Sequence, residues 1–143
     1  MKQLSTKMDY IEILKTYKTI AIVGVSDKPQ RPSFTVTKYM IQAGYNIIPI
    51  NPNLDEVLGL KCYPSLLELP EVVKQQVEVV NIFRKPQDVP PVVDEAIAIG
   101  AKAVWMQLGI TNEAAAEKAR NANLAVVENH CIAVDHQNHL LNA

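Results

Sequence analysis

The chain has 143 residues, 48% hydrophobic and 20% charged, with a formal net charge of -1. This is enough for one domain with its own core, and the balance gives no footprint of a nucleic-acid surface. No run approaches the roughly 20 apolar residues of a membrane span, and the opening MKQLSTKMDY lacks the apolar centre of a signal peptide. Two cysteines, Cys62 and Cys131, do not make a disulfide framework, so a reduced, cytoplasmic setting is expected.

Taken in order, Asp9 to Lys15 places Ile11, Ile13 and Leu14 on a short amphipathic helix capped by Ser5 or Asp9. Thr19 to Val25 is β-branched and almost unbroken in apolarity, the pattern of a strand covered on both faces. A helix over Ser33 to Ala43 stops at Gly44. Tyr45 to Ile50 is a second covered strand, closed by Asn51-Pro52-Asn53, and Asp55 to Leu60 ends in a glycine turn. A short strand at Lys61 to Tyr63 and a brief helix from Ser65 follow.

Val77 to Phe83 is again a strand, and Pro90 to Ile99 a helix with Pro91 in its first turn and Gly100 beyond its end. Ala101 to Gln107 is a strand, Asn112 to Asn121 an alanine-rich helix and Leu124 to Val127 the last long strand. The polar tail from Glu128 to Ala143 is expected to be solvated, with a small terminal strand. Strand and helix alternate about every 20 to 30 residues, which implies βαβ crossovers and a parallel sheet. The fold class expected is α/β, a doubly wound, Rossmann-like sheet forming one domain over residues 1–143.

The chemistry concentrates between Thr19 and Met40, where a strand, a glycine turn and a helix N-terminus succeed one another, the arrangement that grips a phosphate. A dinucleotide fingerprint wants G-x-G-x-x-G here and an acidic ribose reader after the second strand. This chain has Gly24-Val25-Ser26, no glycine in the loop DKPQRP, and Asn51-Pro52 where the acid would sit. Both halves fail, which argues against a standard NAD site.

What stands there instead suits another anion. Ser26 offers a hydroxyl, Lys28 and Arg31 bring charge, and Arg31 has the bidentate fork that matches a phosphate. Ser33 lies where helix amides favour an anion. The plainer alternatives are that Ser26 starts a turn, Ser33 caps its helix and both cations are solvated.

The run GVSDKPQRPSFTVTKYMIQAGYNIIPINPN, then LGLKCYPSLLELP, VVNIFRKPQDVPPVVDEAIAIGAKAVWMQLGI and NHCIAVDHQNHL, resembles the small single-domain coenzyme A-binding proteins. These are relatives of the CoA-binding domain of succinyl-CoA synthetase α subunits. The likeness covers Thr19 to Leu140, and the motifs G-V-S, R-P-S, I-N-P, F-R and W-x-Q-x-G-I are jointly specific.

The resemblance implies a Rossmann-like domain whose cofactor is CoA or a short acyl-CoA, bound at the carboxyl ends of the strands. Gly24, Val25, Ser26 and Asp27 would meet its phosphates and ribose, with Arg31 and Ser33 as the loop-to-helix residues. Asn51 and Pro52 would lie near the adenosine end, and Phe83 and Arg84 in the loop after the fourth strand. Gln107, Leu108 and Gly109 would approach the pantetheine arm. CoA carries a pyrophosphate and a 3′-phosphate, so it suits the extra cations, Lys85 among them, and the neutral Asn51.

The synthetase relatives continue into a domain with a phosphorylated histidine, which this chain does not reach at Ala143. In the small relatives an acid and an arginine precede the tail cysteine. Glu128-Asn129-His130-Cys131 departs from that.

Catalytic readings are weaker. His130 and Cys131 adjoin, but on an extended strand they would point to opposite faces, and a free cysteine is usually a small core residue. His130, Asp135, His136 and His139 do not guarantee a metal geometry. Trp105 reads as core and Cys62 as a packed edge residue. The expectation is a non-catalytic CoA-binding protein without nucleic-acid or membrane partners. It would act as a carrier, a sensor or a partner subunit, or as a homodimer. The alternative is a small NAD(P)-binding or CoA-thioester-processing enzyme.

Overall fold

In the computed structural model, which describes residues 8–141, five parallel strands form the sheet around which everything else is placed. Helix α1 (Tyr10–Thr16) starts at Asp9, whose carboxylate accepts the Glu12 amide at 2.9 Å, and buries Ile13 and Leu14. Ser5, the other expected cap, lies outside the described residues. β1 (Thr19–Val23) leads through the glycine loop into α2 (Pro32–Gln42), and Gly44, at φ +98°, turns the chain into β2 (Asn46–Ile50).

A hairpin follows, β3 (Glu56–Val57) against β4 (Leu60–Lys61). Its turn holds both Leu58 (φ +52°) and Gly59 (φ +78°) in the left-handed region, as a two-residue hairpin turn demands. A leucine at such a position gives no sequence cue, so the expected single strand at Lys61 to Tyr63 is corrected to this hairpin, with Tyr63 bridging back to Ile50.

The helix expected from Ser65 begins later, as α3 (Glu71–Lys74), after Pro70. Then come β5 (Val79–Ile82), a 3₁₀ turn at Pro86–Asp88 and α4 (Val89–Ala98). β6 (Ala103–Met106), α5 (Glu113–Asn121) and β7 (Ala125–Val127) complete the sheet. Asn112 caps α5 by accepting the Ala115 amide at 2.9 Å.

The tail departs from expectation. Its terminal strand is replaced by an eight-residue helix, α6 (Ile132–His139). Only its first turn is apolar. The helix is held because Asp135 and His136, both buried, find partners elsewhere in the fold.

The strand order is β2-β1-β5-β6-β7, with Ile20 in register with both Ile47 and Val79, and Val79 with Ala103. The chain winds outward one way from β1 to β2 and the other way from β5 onward. The reversal point is between β1 and β5, where doubly wound sheets bind ligands.

Successive strand residues alternate between two cores. Ala21, Val23, Val80, Ile82, Val104 and Met106 pack with α4 and α5. Ile20, Ile22, Val79, Ala103 and Trp105 pack with α1, α2 and α6. Trp105 is fully buried and Cys62 is buried, both as expected. Among the described residues no helix is long and apolar enough to cross a membrane.

Candidate functional site

The site is built where β1 and β5 end. The Gly24 amide donates to the Ile50 carbonyl at 2.9 Å, and the Phe83 amide donates to the Val23 carbonyl at 2.8 Å. Gly24 sits at φ +92°, and a Cβ there would overlap the carbonyl oxygen of Phe83. Only glycine lets the two loops approach this closely.

Beyond Gly24, Val25 turns into the core, and the Ser26 hydroxyl oxygen accepts the Lys28 amide at 3.0 Å. Ser26 therefore does shape the turn. Asp27, Lys28 and the residues up to Arg31 are exposed. Arg31 holds the N-cap position in extended conformation with no side-chain cap, and Pro32 opens the helix. Ser33, one residue further in, is buried and does not cap α2.

Gly24, Arg31 and Ser33 on one side, and Phe83, Arg84 and Lys85 on the other, line a cleft of about 350 Å³. Pro32, Pro86 and Ile110 supply its apolar walls, and no acidic side chain lines it. Among the described residues, Lys28, Arg31, Arg84 and Lys85 form no ion pair. Uncompensated cations beside a helix N-terminus make this a place for an anion.

The remaining candidates stand differently. Asn51 donates from Nδ2 to the Val25 carbonyl at 2.7 Å, and its Oδ1 accepts the Asn53 amide at 2.8 Å. It clamps the first loop to the turn after β2, while Pro52 is exposed beside it. Gln107 is buried, and its Oε1 accepts from Asn81 Nδ2 at 3.1 Å and from the Ile132 amide at 3.4 Å. Leu108 and Gly109 are exposed, and the Gly109 amide donates to Asn129 Oδ1 at 2.7 Å. None of these three lines the basic cleft.

Sequence reasoning missed the apolar walls, Ile110 above all, and the role of Asn129. The latter adopts φ +61° to hold the β6–α5 loop. The unusual Asn-His pair was visible in the sequence, but its partner was not.

His130 and Cys131 do not form a pair. His130 Nδ1 lies 2.8 Å from Asp135 Oδ2, and its ring centroid is 4.5 Å from that of Tyr10. Cys131 is half-buried, at the head of α6, and lines a groove toward α2. The expected solvated tail is corrected here too: His136 is buried with its Nδ1 2.8 Å from the Tyr39 hydroxyl. Burial, and then the nearby Lys18 charge, lower its pKa. Among the described residues no group of three or more His, Cys, Asp or Glu is placed to hold a metal ion.

A family model described as "CoA binding domain" matches residues 18–137. The protein YneT of Bacillus subtilis is 40% identical over 134 residues, 94% of this chain and 96% of that one. Acetate–CoA ligase [ADP-forming] II of Archaeoglobus fulgidus is 35% identical over 99 residues, 67% of this chain but 14% of the ligase. A protein of known structure from Pyrococcus horikoshii OT3 superposes with a TM-score of 0.86 at 41% identity, covering 94% of both chains. The match to the ligase thus concerns a small part of that protein.

Proposed function

The chain belongs to the CoA binding domain family, and from that premise we propose that it binds coenzyme A at the carboxyl edge of its sheet. The observation that carries this reading is the cleft at the β1/β5 reversal. Three cations and no acid surround it, and Gly24 opens it by the absence of a side chain. A pyrophosphate with an additional phosphate monoester needs several cationic contacts, and Arg31 and Arg84 have the fork geometry for them.

In this reading the phosphates take the cleft of Gly24, Arg31, Ser33, Phe83 and Arg84, and Val25, Ser26, Asp27 and Lys28 form the loop that closes over them. Asn51 and Pro52 flank the adenosine end. Asn51 serves there by fixing the loop through Val25. Gln107 and Gly109 act indirectly, by holding the β6–α5 loop and the head of α6. The domain works as one CoA-binding unit in the cytoplasm without a complete active site of its own, as a carrier, sensor or partner subunit. Its likeness to a segment of ADP-forming acetate–CoA ligases favours a partner that supplies the chemistry.

Isothermal titration with CoA, acetyl-CoA, NAD and NADP tests this. CoA should bind in the micromolar range, and Arg31→Ala should weaken it by roughly tenfold, the worth of one charge-assisted bidentate contact. Tight NAD binding with no CoA heat would overturn the reading.

A further inference from the structure

We propose that Asn112 is the positioning residue for two of the cleft's cations, Arg84 and Lys85, an inference that rests on the CoA reading of that cleft. Asn112 caps α5 with its side-chain oxygen, which accepts the Ala115 amide at 2.9 Å. Capping needs only an acceptor, and Ser, Thr or Asp would serve there as well. The carboxamide nitrogen is surplus to that task, and it donates to the Pro86 carbonyl at 2.9 Å. Both bonds require the same orientation of the carboxamide, because a backbone N–H can only donate and a carbonyl can only accept.

The two cations stand between two attachments. On one side the Phe83 amide donates to the Val23 carbonyl at 2.8 Å, and on the other Pro86 is held by Asn112. Only Arg84 and Lys85 lie between, and both line the cleft. Proline has no N–H, so its carbonyl is the backbone group through which Pro86 can be held. Lys85, ahead of a proline, keeps the extended backbone expected there (φ -58°, ψ 148°), and its carbonyl accepts the Asp88 amide at 2.8 Å. Residues 85–88 thus form one turn, and fixing Pro86 fixes the turn.

Asn112 is itself held in place. Its backbone amide donates to Glu128 Oε2 at 3.2 Å, just beyond β7. It also follows Ile110, an apolar wall of the cleft, by two residues. One side chain therefore ties the cationic rim to the loop that carries the apolar wall, and such supporting contacts set how well a binding residue is aimed. Arg31, across the cleft, takes its place from the head of α2 and does not depend on this tie.

The test is Asn112→Ser, which keeps a capping oxygen and deletes the donor, beside Asn112→Ala, which deletes both. Asn112→Ser should leave the urea midpoint close to that of wild type and weaken CoA about fivefold in isothermal titration, within the worth of one hydrogen bond. Asn112→Ala should weaken CoA to the same extent and lower the midpoint as well. Combined with Arg84→Ala, Asn112→Ser should add less than about twofold, whereas combined with Arg31→Ala it should keep its full factor. A merely structural role would give the same factor in both backgrounds.

Deuterium exchange of the ligand-free protein gives a second readout. The amides of residues 84–88 should exchange faster in Asn112→Ser than in wild type, while those of β5 and β6 stay unchanged, because the loss is local. Equal CoA affinity of Asn112→Ser and wild type, equal factors in the two arginine backgrounds, or unchanged exchange at residues 84–88 overturns the inference and leaves the CoA reading standing. Failure of wild type to bind CoA overturns both.

Discussion

Gly24 lies against the backbone of Phe83 so closely that a Cβ on the glycine would overlap the Phe83 carbonyl oxygen. The contact joins the ends of β1 and β5 at the reversal point of the sheet, and it sets the width of the cleft between Arg31 and Arg84. Gly24→Ala adds two penalties, the left-handed backbone at φ +92° and the steric overlap. Together they should cost about 2–4 kcal/mol of stability in urea titration. The same substitution should abolish CoA binding, because relief of the overlap separates the two loops. A variant of wild-type stability and affinity would show that the loops are not held by this contact.

Much of this arrangement was legible in the chain itself. Strands covered on both faces leave unbroken apolar runs such as Ile20 to Val25, and their loops at the carboxyl edge carry the cations that end up facing one another. The parts that were not legible depend on distant partners. His136 looks like a solvated tail residue until Tyr39, 97 positions earlier, is placed beside it. Asp135 looks like part of the same solvated tail until His130 pairs with it. Gln107 has the residue type and the strand-end position of a ligand contact, but its carboxamide oxygen is taken up by Asn81 and the head of α6. Pattern alone cannot separate a polar group that meets a ligand from one that meets the fold.

Trp105 illustrates that second role. It is fully buried, and its Nε1–H donates to the His130 carbonyl at 2.9 Å, so one side chain both fills the core and pins the segment leading into α6. Trp105→Phe keeps most of the apolar volume and deletes the donor, leaving a carbonyl without its partner. The expected loss is about 1–2 kcal/mol. Trp105→Ala adds a cavity and should cost about 3–5 kcal/mol in the same denaturation assay. Equal losses for the two variants would mean that the hydrogen bond, and not the packing, dominates.

The seat of His136 makes the stability of α6 depend on pH. The imidazole is buried between Tyr39 and Tyr45, with ring centroids 5.6 and 5.5 Å away. Its pKa is lowered from 6.5, first by burial and then by Lys18. The unfolded chain therefore takes up the proton at a higher pH than the folded one. Above about pH 7 both states hold a neutral ring and the pair with Tyr39 stabilises fully. As pH falls through the unfolded value of 6.5, the unfolded state gains protons that the native state refuses, and stability declines until the lowered native value is passed. His136→Gln removes this titration while keeping a polar group near the Tyr39 hydroxyl. Urea midpoints taken between pH 7.5 and 5, a window of about one unit above and one and a half below the free histidine value, should fall more steeply for wild type than for the variant. Parallel curves would show that His136 does not titrate against the fold.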